Sequence, residues 1–494
     1  MEIPKSELFS VLQEFNPWWQ GQTPGDLPDW ERSVVDQVWG WSQDKESKRA
    51  LLLTGARQVG KTTVFRQTIR RLLKSGVPAT RILYATFDHP LLKLAGIERT
   101  LNAWAELFPQ DPATPQRMLF LDEIQYVNDW QTWVKHQVDF QPATRIAMTG
   151  SATPLRDGSA ESGVGRWETL PLPTLSFAEF LRLRKASVPA IPALPSLRQL
   201  FAWRPAEFAR VAKIAQPLTA HFHDYLMRGG FPEPAMASDI TRCQRLLRED
   251  IVEKVLKRDM TALYGVRRVL EVEKIFLYLC YHDGGILDIP TLTRQLDGVN
   301  RQTALNFLDL FEATHLIYRL KPHGYGKEVL RGRDKIYLAD AALPGAVMLL
   351  GRKLLEQPER LGAAVETAFF KHAFTRFYAQ TPNFSYWQDK QNRDLEVDLI
   401  AQIGGRTVPF EVKYQDAEVT AKRLKGMRLF MESKKATEGY VITQRWDDFK
   451  VLDVTSAKRG DDAKESIGRV AAIPAPLACY WMSEPPSRTG HPED

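Results

Sequence analysis

Gly55-Ala56-Arg57-Gln58-Val59-Gly60-Lys61-Thr62 decides the reading of this chain. The run satisfies the pattern G-x-x-x-x-G-K-[ST] at every constrained position. An apolar run, Ala50-Leu51-Leu52-Leu53, leads into it, and Thr63-Val64-Phe65-Arg66-Gln67-Thr68-Ile69 continues from it with a helical pattern. Glycine at the fixed places lets the backbone turn tightly, so that successive N–H groups and a helix N-terminus face a triphosphate. In that geometry Lys61 reaches the β- and γ-phosphates and the Thr62 hydroxyl ligates Mg²⁺. The spacing therefore predicts a nucleotide site.

A phosphate loop needs a carboxylate at the end of a neighbouring strand. Met118-Leu119-Phe120-Leu121-Asp122-Glu123 supplies one, with four apolar residues for a buried strand and two acids at its C-terminal edge. Asp122 is expected to hold Mg²⁺ through water, and Glu123 to orient and polarise the attacking water. A further strand, Arg145-Ile146-Ala147-Met148, ends at Thr149-Gly150-Ser151. Ser151 there either contacts the γ-phosphate or belongs to a simple Gly-Ser turn. Arg166, in Gly163-Val164-Gly165-Arg166, reads either as an arginine finger toward its own or a neighbouring subunit's nucleotide, or as a solvated surface residue. A finger acting in trans requires a homo-oligomer.

The chain has 494 residues, more than one hydrophobic core usually supports, so two to four domains are expected. Hydrophobic content of 44% and charged content of 26% are those of a soluble globular protein. A net charge of +6 permits nucleic-acid contact without arguing for it. Cys243, Cys280 and Cys479 are far apart and show no metal-ligand spacing, so they read as reduced core thiols of a cytoplasmic protein. No signal-peptide pattern and no apolar run of membrane-spanning length is present, and no membrane partner is expected. Candidate strands at 50–54, 81–87, 117–121 and 145–149 alternate with helical patterns, the mark of a parallel α/β sheet. The Trp-rich pieces before residue 45 are expected to pack on that sheet. Val188-Pro189-Ala190-Ile191-Pro192-Ala193-Leu194-Pro195 marks a loop within a largely helical region, and the closing residues from Pro485 to Asp494 read as a disordered tail.

Two further constellations carry chemistry. The apolar helix Leu270–Tyr281 is followed by Ile289-Pro290-Thr291-Leu292-Thr293-Arg294-Gln295-Leu296, the turn Asp297-Gly298-Val299 and a second helix, Asn300–Ala313, which together suggest a helix-turn-helix. Leu316–Leu320 and Lys335–Leu338 then read as a strand pair around a basic loop shaped like a wing. Arg301 and Gln302 would face a groove of DNA if the second helix is the reading helix. The other reading is a lid that packs on the nucleotide domain or on a partner.

The second constellation is a hairpin. Leu395–Ile403 and Arg406–Lys413 flank the turn Gly404-Gly405. If Ile403 pairs with Arg406, Asp398 lies opposite Glu411 and Glu396 opposite Lys413, and strict alternation puts all four on one face. Opposed carboxylates about 5 Å apart repel unless a cation joins them. A divalent metal resolves the conflict, with Glu366 of the helix Leu361–Phe374 as a third ligand. Two acids, a lysine and a metal suit phosphodiester hydrolysis, with Lys413 positioning water or stabilising developing charge. The bland alternative is an exposed hairpin with a polar face.

Taken together these residues resemble the prokaryotic AAA+-type P-loop ATPases whose C-terminal domain is similar to the PD-(D/E)XK restriction-endonuclease-like superfamily. The matching marks are Gly55 to Thr62 with Thr63, Leu121-Asp122-Glu123-Ile124-Gln125, Gly150-Ser151, Gly165-Arg166, Leu175-Ser176-Phe177-Ala178-Glu179-Phe180, Gly229-Gly230-Phe231-Pro232-Glu233, Glu396-Val397-Asp398 and Glu411-Val412-Lys413. The resemblance implies an α/β fold: a parallel-sheet ATPase core, a helical lid, a winged helix and a C-terminal restriction-endonuclease-like α/β domain. It implies boundaries at 1–45 for an N-terminal helical segment, 46–175 for the core and 176–265 for the lid. The winged helix would span 266–349, the nuclease-like domain 350–483 and the tail 484–494. It also implies ATP and Mg²⁺ as cofactors. Thr62 and Asp122 would serve the metal at one site, and Glu366, Asp398 and Glu411 at the other. The expectation is an ATP-driven DNA-processing protein whose nucleotide cycle controls a Mg²⁺-dependent nuclease. The rival readings are a nucleotide-controlled switch or scaffold that binds DNA or a protein without cleavage, and a purely ATP-driven remodeller.

Overall fold

The computed structural model describes residues 4–25, 27–44, 46–109, 117–141, 143–151, 165–261, 265–296, 299–324, 326, 329, 332–381, 384–456 and 466–483. These form two compact units. The first comprises Met1–Leu172 with Arg258–Val266 and Asp309–His315, and the second comprises Pro173–Lys257, Arg267–Leu308 and Leu316–Asp494.

The first unit is built on five parallel strands: β1 (Ala50–Thr54), β2 (Ile82–Thr86), β3 (Arg117–Asp122), β4 (Thr144–Gly150) and β5 (Trp167–Pro171), in the order β2-β3-β4-β1-β5. All five residues of β1 and of β2 are buried, as a parallel sheet covered on both faces requires. The four expected strands are present to within a residue at each end. β5, whose run Trp167-Glu168-Thr169-Leu170-Pro171 is mostly half-exposed, carries no strong strand signal and was not expected. One spatial expectation changes: β4 stands between β1 and β3, so Asp122 comes from one strand beyond the neighbour of the loop strand.

The Trp-rich N-terminal segment closes the sheet edge. Asn16 donates from Nδ2 to the Tyr84 carbonyl (2.9 Å) and accepts the Tyr84 N–H (2.7 Å), while the Trp18 and Trp19 indoles both donate to the Ile82 carbonyl. Side chains thus satisfy the free backbone groups of β2, which would otherwise be an open edge. Leu8 and Leu12 of the first helix, Lys5–Phe15, join the core beneath it.

The second unit contains an eight-stranded mixed sheet. Its strands are β6 (Ile317–Pro322), β7 (Lys335–Leu338), β8 (Ser385–Gln388), β9 (Glu396–Ile403), β10 (Arg406–Lys413), β11 (Glu438–Thr443), β12 (Lys450–Thr455) and β13 (Ser466–Pro474), in the order β12-β13-β11-β10-β9-β8-β6-β7. The three expected helices are present as Val269–Tyr281, Ile289–Gln295 and Arg301–Ala313. The strand pair after them is β6 and β7. It is not a free-standing wing, because β6 pairs with β8 and makes the pair one edge of the large sheet. Asp297, Gly298, Tyr325, Lys327 and Arg331 of the expected turn and wing loop lie outside the described residues, as do Gly163, Val164 and the tail.

The long helix Pro358–Phe377 buries Val365, Phe369, Phe370 and Phe377 against Leu399, Phe410 and Tyr440 on one face of this sheet. On the other face the helix Lys425–Lys434 sets Met427 and Phe430 against Val397, Ile400 and Val441. The Pro-rich stretch is irregular between the helices ending at Leu183 and starting at Leu197, as expected.

Two motifs gain a structural meaning. Ser176 and Glu179 form a capping box on the helix Phe177–Leu183. The Leu175 N–H donates to the Gly230 carbonyl (2.7 Å), joining the Leu175–Phe180 motif to the Gly229–Glu233 motif. Beneath that junction the buried Lys371 ammonium donates to Asp340 Oδ2 (3.0 Å), Thr174 Oγ1 (2.7 Å) and the Leu175 carbonyl (3.1 Å). His372 accepts the Phe177 N–H at Nε2 (2.8 Å). Cys243, Cys280 and Cys479 are buried and form no disulfide. No described helix is long and apolar enough to cross a membrane.

Candidate functional site

The loop between β1 and the helix Lys61–Lys74 has the backbone its glycines predict. A Cβ on Gly55 would stand 2.2 Å from the Leu172 carbonyl oxygen, so nothing larger fits. Gly60 has φ +98°, in the left-handed region that favours glycine. Lys61 is buried, and its Nζ donates to the Gly55 and Ala56 carbonyls, both at 2.9 Å. Those bonds curl the ammonium back over the loop.

Asp122, at the C-terminal end of β3, is fully enclosed. The Thr62 hydroxyl donates to its Oδ2 at 2.6 Å and the Tyr84 hydroxyl to the same oxygen at 2.7 Å, while Thr149 donates to Oδ1. Burial and the neighbouring Glu123 charge push the Asp122 carboxyl above its ordinary pKa, against the three hydroxyls. Thr62 and Asp122 are thus adjacent, as a Mg²⁺ site requires, and their oxygen donors suit that ion.

Glu123 adopts φ +54°, which turns its side chain out of the strand direction. Its Oε2 accepts from the Ser151 hydroxyl at 3.0 Å and from the Gln125 amide, and Gln125 also donates to Ser151 at 2.9 Å. Its Oε1 lies 3.9 Å from Lys61 Nζ. Ser151 therefore reaches the site through Glu123. Gln125 and Tyr84 are additions that sequence reasoning missed. The two-residue offset of Gln125 from Glu123 is a signal that could have found the first. Nothing local marks Tyr84.

Arg166 is elsewhere. Its carbonyl accepts the Ala50 N–H at the start of β1, the end of the sheet opposite the loop, and its guanidinium pairs with Asp139 at the surface. Five strand residues at about 3.3 Å each separate it from its own phosphate loop, so it does not complete that site.

The C-terminal hairpin keeps the expected register, from Ile403 opposite Arg406 to Leu399 opposite Phe410. The strict alternation behind the single-face expectation is interrupted, for a local reason. β8 pairs Ser385 with Ile400 but Trp387 with Val397, so Asp398 and Leu399 together oppose Tyr386 in a β-bulge. The bulge turns Asp398 toward the helix that carries Glu366. Glu411, opposite Val441 in β11, stays near enough for its charge and that of Asp398 to act on each other, and Lys413 acts on both. Among the described residues, no group of three or more His, Cys, Asp or Glu side chains is arranged to hold a metal.

What stands between Glu366 and Asp398 is a lysine from β7. The Lys335 Nζ lies 2.8 Å from Asp398 Oδ1, 2.9 Å from Glu366 Oε1 and 3.8 Å from Glu396 Oε1. The Val412 N–H occupies the other Asp398 oxygen at 2.8 Å, and the Tyr337 hydroxyl donates to Glu366 Oε1 at 2.7 Å. Burial alone would lower the Lys335 pKa, but Asp398 and Glu366 override it and hold the ammonium well above its ordinary value. Glu411 pairs with Lys413 at 2.7 Å, and burial raises its carboxyl to about 7.

Residues 47–181 match the family model described as AAA domain. Residues 219–354 and 361–459 match two models described as domains of unknown function (DUF8612 and DUF4143). An uncharacterized protein of Haemophilus influenzae is 24% identical over 61% of this chain and 70% of its own length. An uncharacterized protein of Mycobacterium tuberculosis is 27% identical over 74% of this chain and 70% of its own. Among solved structures, AMPPCP-bound DnaA from Aquifex aeolicus aligns over 56% of this chain and 86% of its own, at 14% identity and a TM-score of 0.24. Thermotoga maritima RuvB aligns over 61% and 89%, at 17% identity and 0.25. Scores that low carry no argument. The family match, the parallel sheet and the loop geometry agree on a P-loop AAA-type nucleotide-binding domain.

Proposed function

We propose that the protein is a Mg²⁺-dependent ATPase that couples its nucleotide cycle to binding of nucleic acid, DNA being the first candidate, without cutting it. The observation that carries the ATPase reading is the 2.6 Å bond from Thr62 to Asp122 beside the glycine-shaped loop. The backbone from Gly55 through Arg57, Gln58 and Val59 to Thr63 would cradle the phosphates, whose oxygens would replace the two carbonyls that Lys61 now contacts. Thr62 and Asp122 would hold Mg²⁺, which supplies charge neutralisation at the phosphates when bound. Glu123 would orient the attacking water, with Gln125 and Ser151 setting its rotamer.

Support for nucleic acid comes from the helix Arg301–Ala313, where Arg301 and Gln302 are both exposed. Metal-dependent cutting by Asp398, Glu411 and Lys413 needs carboxylate oxygens free to take the ion. The Lys335 ammonium and the Val412 N–H, which occupy both Asp398 oxygens, weigh against it and favour the non-cleaving reading. Arg166 would act as a finger only toward a second copy, so any such role requires a homo-oligomer.

The test combines ATP turnover and DNA binding in one preparation. Wild type should hydrolyse ATP with Mg²⁺ and bind duplex DNA, and Arg301→Ala with Gln302→Ala should lose the DNA and keep basal turnover. Plasmid and linear DNA with Mg²⁺ or Mn²⁺ should stay intact with wild type and Asp398→Ala alike. Cleavage that Asp398→Ala abolishes would restore the nuclease reading.

A further inference from the structure

We infer that Lys335 fills, with its own ammonium, the place a divalent metal would take in the C-terminal carboxylate cluster, so that this domain is complete without metal. Four carboxylates gather at this end of the sheet, Glu366, Glu396, Asp398 and Glu411, and two ammonium groups answer them. Lys413 is engaged with Glu411. Lys335 therefore has the remaining three.

Three observations carry the assignment. Lys335 is 1% exposed, and a buried ammonium is costly unless charged or polar partners meet it. Its nitrogen has oxygens of Asp398 and Glu366 at 2.8 and 2.9 Å and one of Glu396 at 3.8 Å, so each of its three N–H bonds has a carboxylate to approach. Of the oxygens a metal would need, those of Asp398 and Glu366 Oε1 are already engaged, while Glu411 Oε2 is buried without a hydrogen-bond partner. Asp398 accepts from Lys335 at one oxygen and from the Val412 backbone at the other. Glu366 Oε1 accepts from both Lys335 and the Tyr337 hydroxyl. Mg²⁺ demands near-octahedral oxygens at about 2.0–2.1 Å, closer than these carboxylates stand around an ammonium. The residues present do not fit a divalent ion while Lys335 is there.

In the strand order β8 and β6 stand between β9 and β7, yet the Lys335 side chain at the start of β7 meets both Asp398 at the bulge and Glu366 on the helix. Tyr337, on the same side of β7, stacks on Phe370 of the helix that carries Glu366 and fixes that carboxylate. Strand, helix and bulge together form a cage for one cation.

The test is Mn²⁺ binding to the nucleotide-free, full-length protein, followed through the spectrum of free Mn²⁺. Wild type should bind no Mn²⁺ that Asp398→Asn removes. Lys335→Met keeps most of the side chain's length and removes its charge. It should gain one Mn²⁺ site at least about tenfold tighter than any in wild type, because opposed buried carboxylates then lack a cation. Adding Asp398→Asn to that variant should abolish the gain. If Lys335→Met does not fold alone, Mn²⁺ should restore its thermal transition, and Lys335→Met with Glu366→Gln and Asp398→Asn should fold without metal. Either of two results overturns the assignment: wild type binding Mn²⁺ at an Asp398-dependent site as tightly as Lys335→Met, or Lys335→Met gaining neither binding nor metal-dependent stability.

Discussion

Ser151 donates its hydroxyl to Glu123 Oε2 at 3.0 Å, and this bond aims the carboxylate from the end of one strand by a residue just past the end of the next. The other oxygen of Glu123 is then left 3.9 Å from Lys61. The acid proposed to orient water and the lysine proposed to reach phosphate are thus held side by side.

Gln125 ties that pair together, since it donates to both Glu123 and Ser151. Gln125→Ala frees the Glu123 rotamer and should lower kcat about tenfold to a hundredfold, with nucleotide affinity within a few-fold of wild type. Steady-state turnover alongside nucleotide titration reads the two separately. An unchanged kcat would remove Gln125 from the mechanism.

Tyr84 gives the second test of the same shell. Its hydroxyl shares Asp122 Oδ2 with Thr62, and burial with the Asp122 charge raises its pKa well above 10, so it remains a donor. Tyr84→Phe should raise the Mg²⁺ concentration needed for half-maximal turnover by about tenfold, the usual effect of losing a partner of a metal ligand. A Mg²⁺ titration of ATP turnover measures it.

The phosphate loop, its strands and the hairpin register were legible because each is set by residues close in sequence. Gly55 and Gly60 meet local steric demands, and the Gly404-Gly405 turn fixes which residues face each other. The break in the hairpin's alternation was not legible because the bulge depends on the partner strand β8, which the hairpin sequence does not contain. Lys335 was read only as part of a strand. Its role depends on a β6–β8 pairing of two residue pairs, Lys321 with Ser385 and Pro322 with Tyr386, and no periodicity announces that. Tyr84 likewise meets Asp122 only because β2 and β3 are neighbours.

The buried pair of Lys371 and Asp340 should be among the most sensitive points of the second unit. Lys371→Met leaves Asp340 enclosed without its cation and should cost about 3–5 kcal/mol. Adding Asp340→Asn should recover part of that loss. Equilibrium urea unfolding of the two variants against wild type checks both statements. A single-variant cost below about 1 kcal/mol would mean water reaches Asp340 freely.

His372 makes acid stability testable. Burial, reinforced by the Lys371 charge, lowers its pKa from 6.5 to about 3, while Glu179 and Asp340 act weakly the other way. The ring is neutral when folded, held between the Phe177 N–H and the Ala368 carbonyl. The unfolded chain takes up a proton near pH 6.5 and the folded one only near 3, so this contribution is full above 6.5 and is lost as pH falls toward 3. Each unit between the two values is worth about 1.4 kcal/mol. His372→Gln should therefore show a shallower loss of thermal stability than wild type across that window. Parallel slopes would contradict the neutral, buried ring.

The central claim is that this is an ATP-hydrolysing machine whose Glu123 handles the water. ATP turnover with Mg²⁺, measured beside ATP affinity in wild type and Glu123→Gln, tests it most directly. The expected result is turnover by wild type, loss of at least about a hundredfold in kcat for Glu123→Gln, and ATP affinity within a few-fold. Turnover by Glu123→Gln at the wild-type rate would contradict the account.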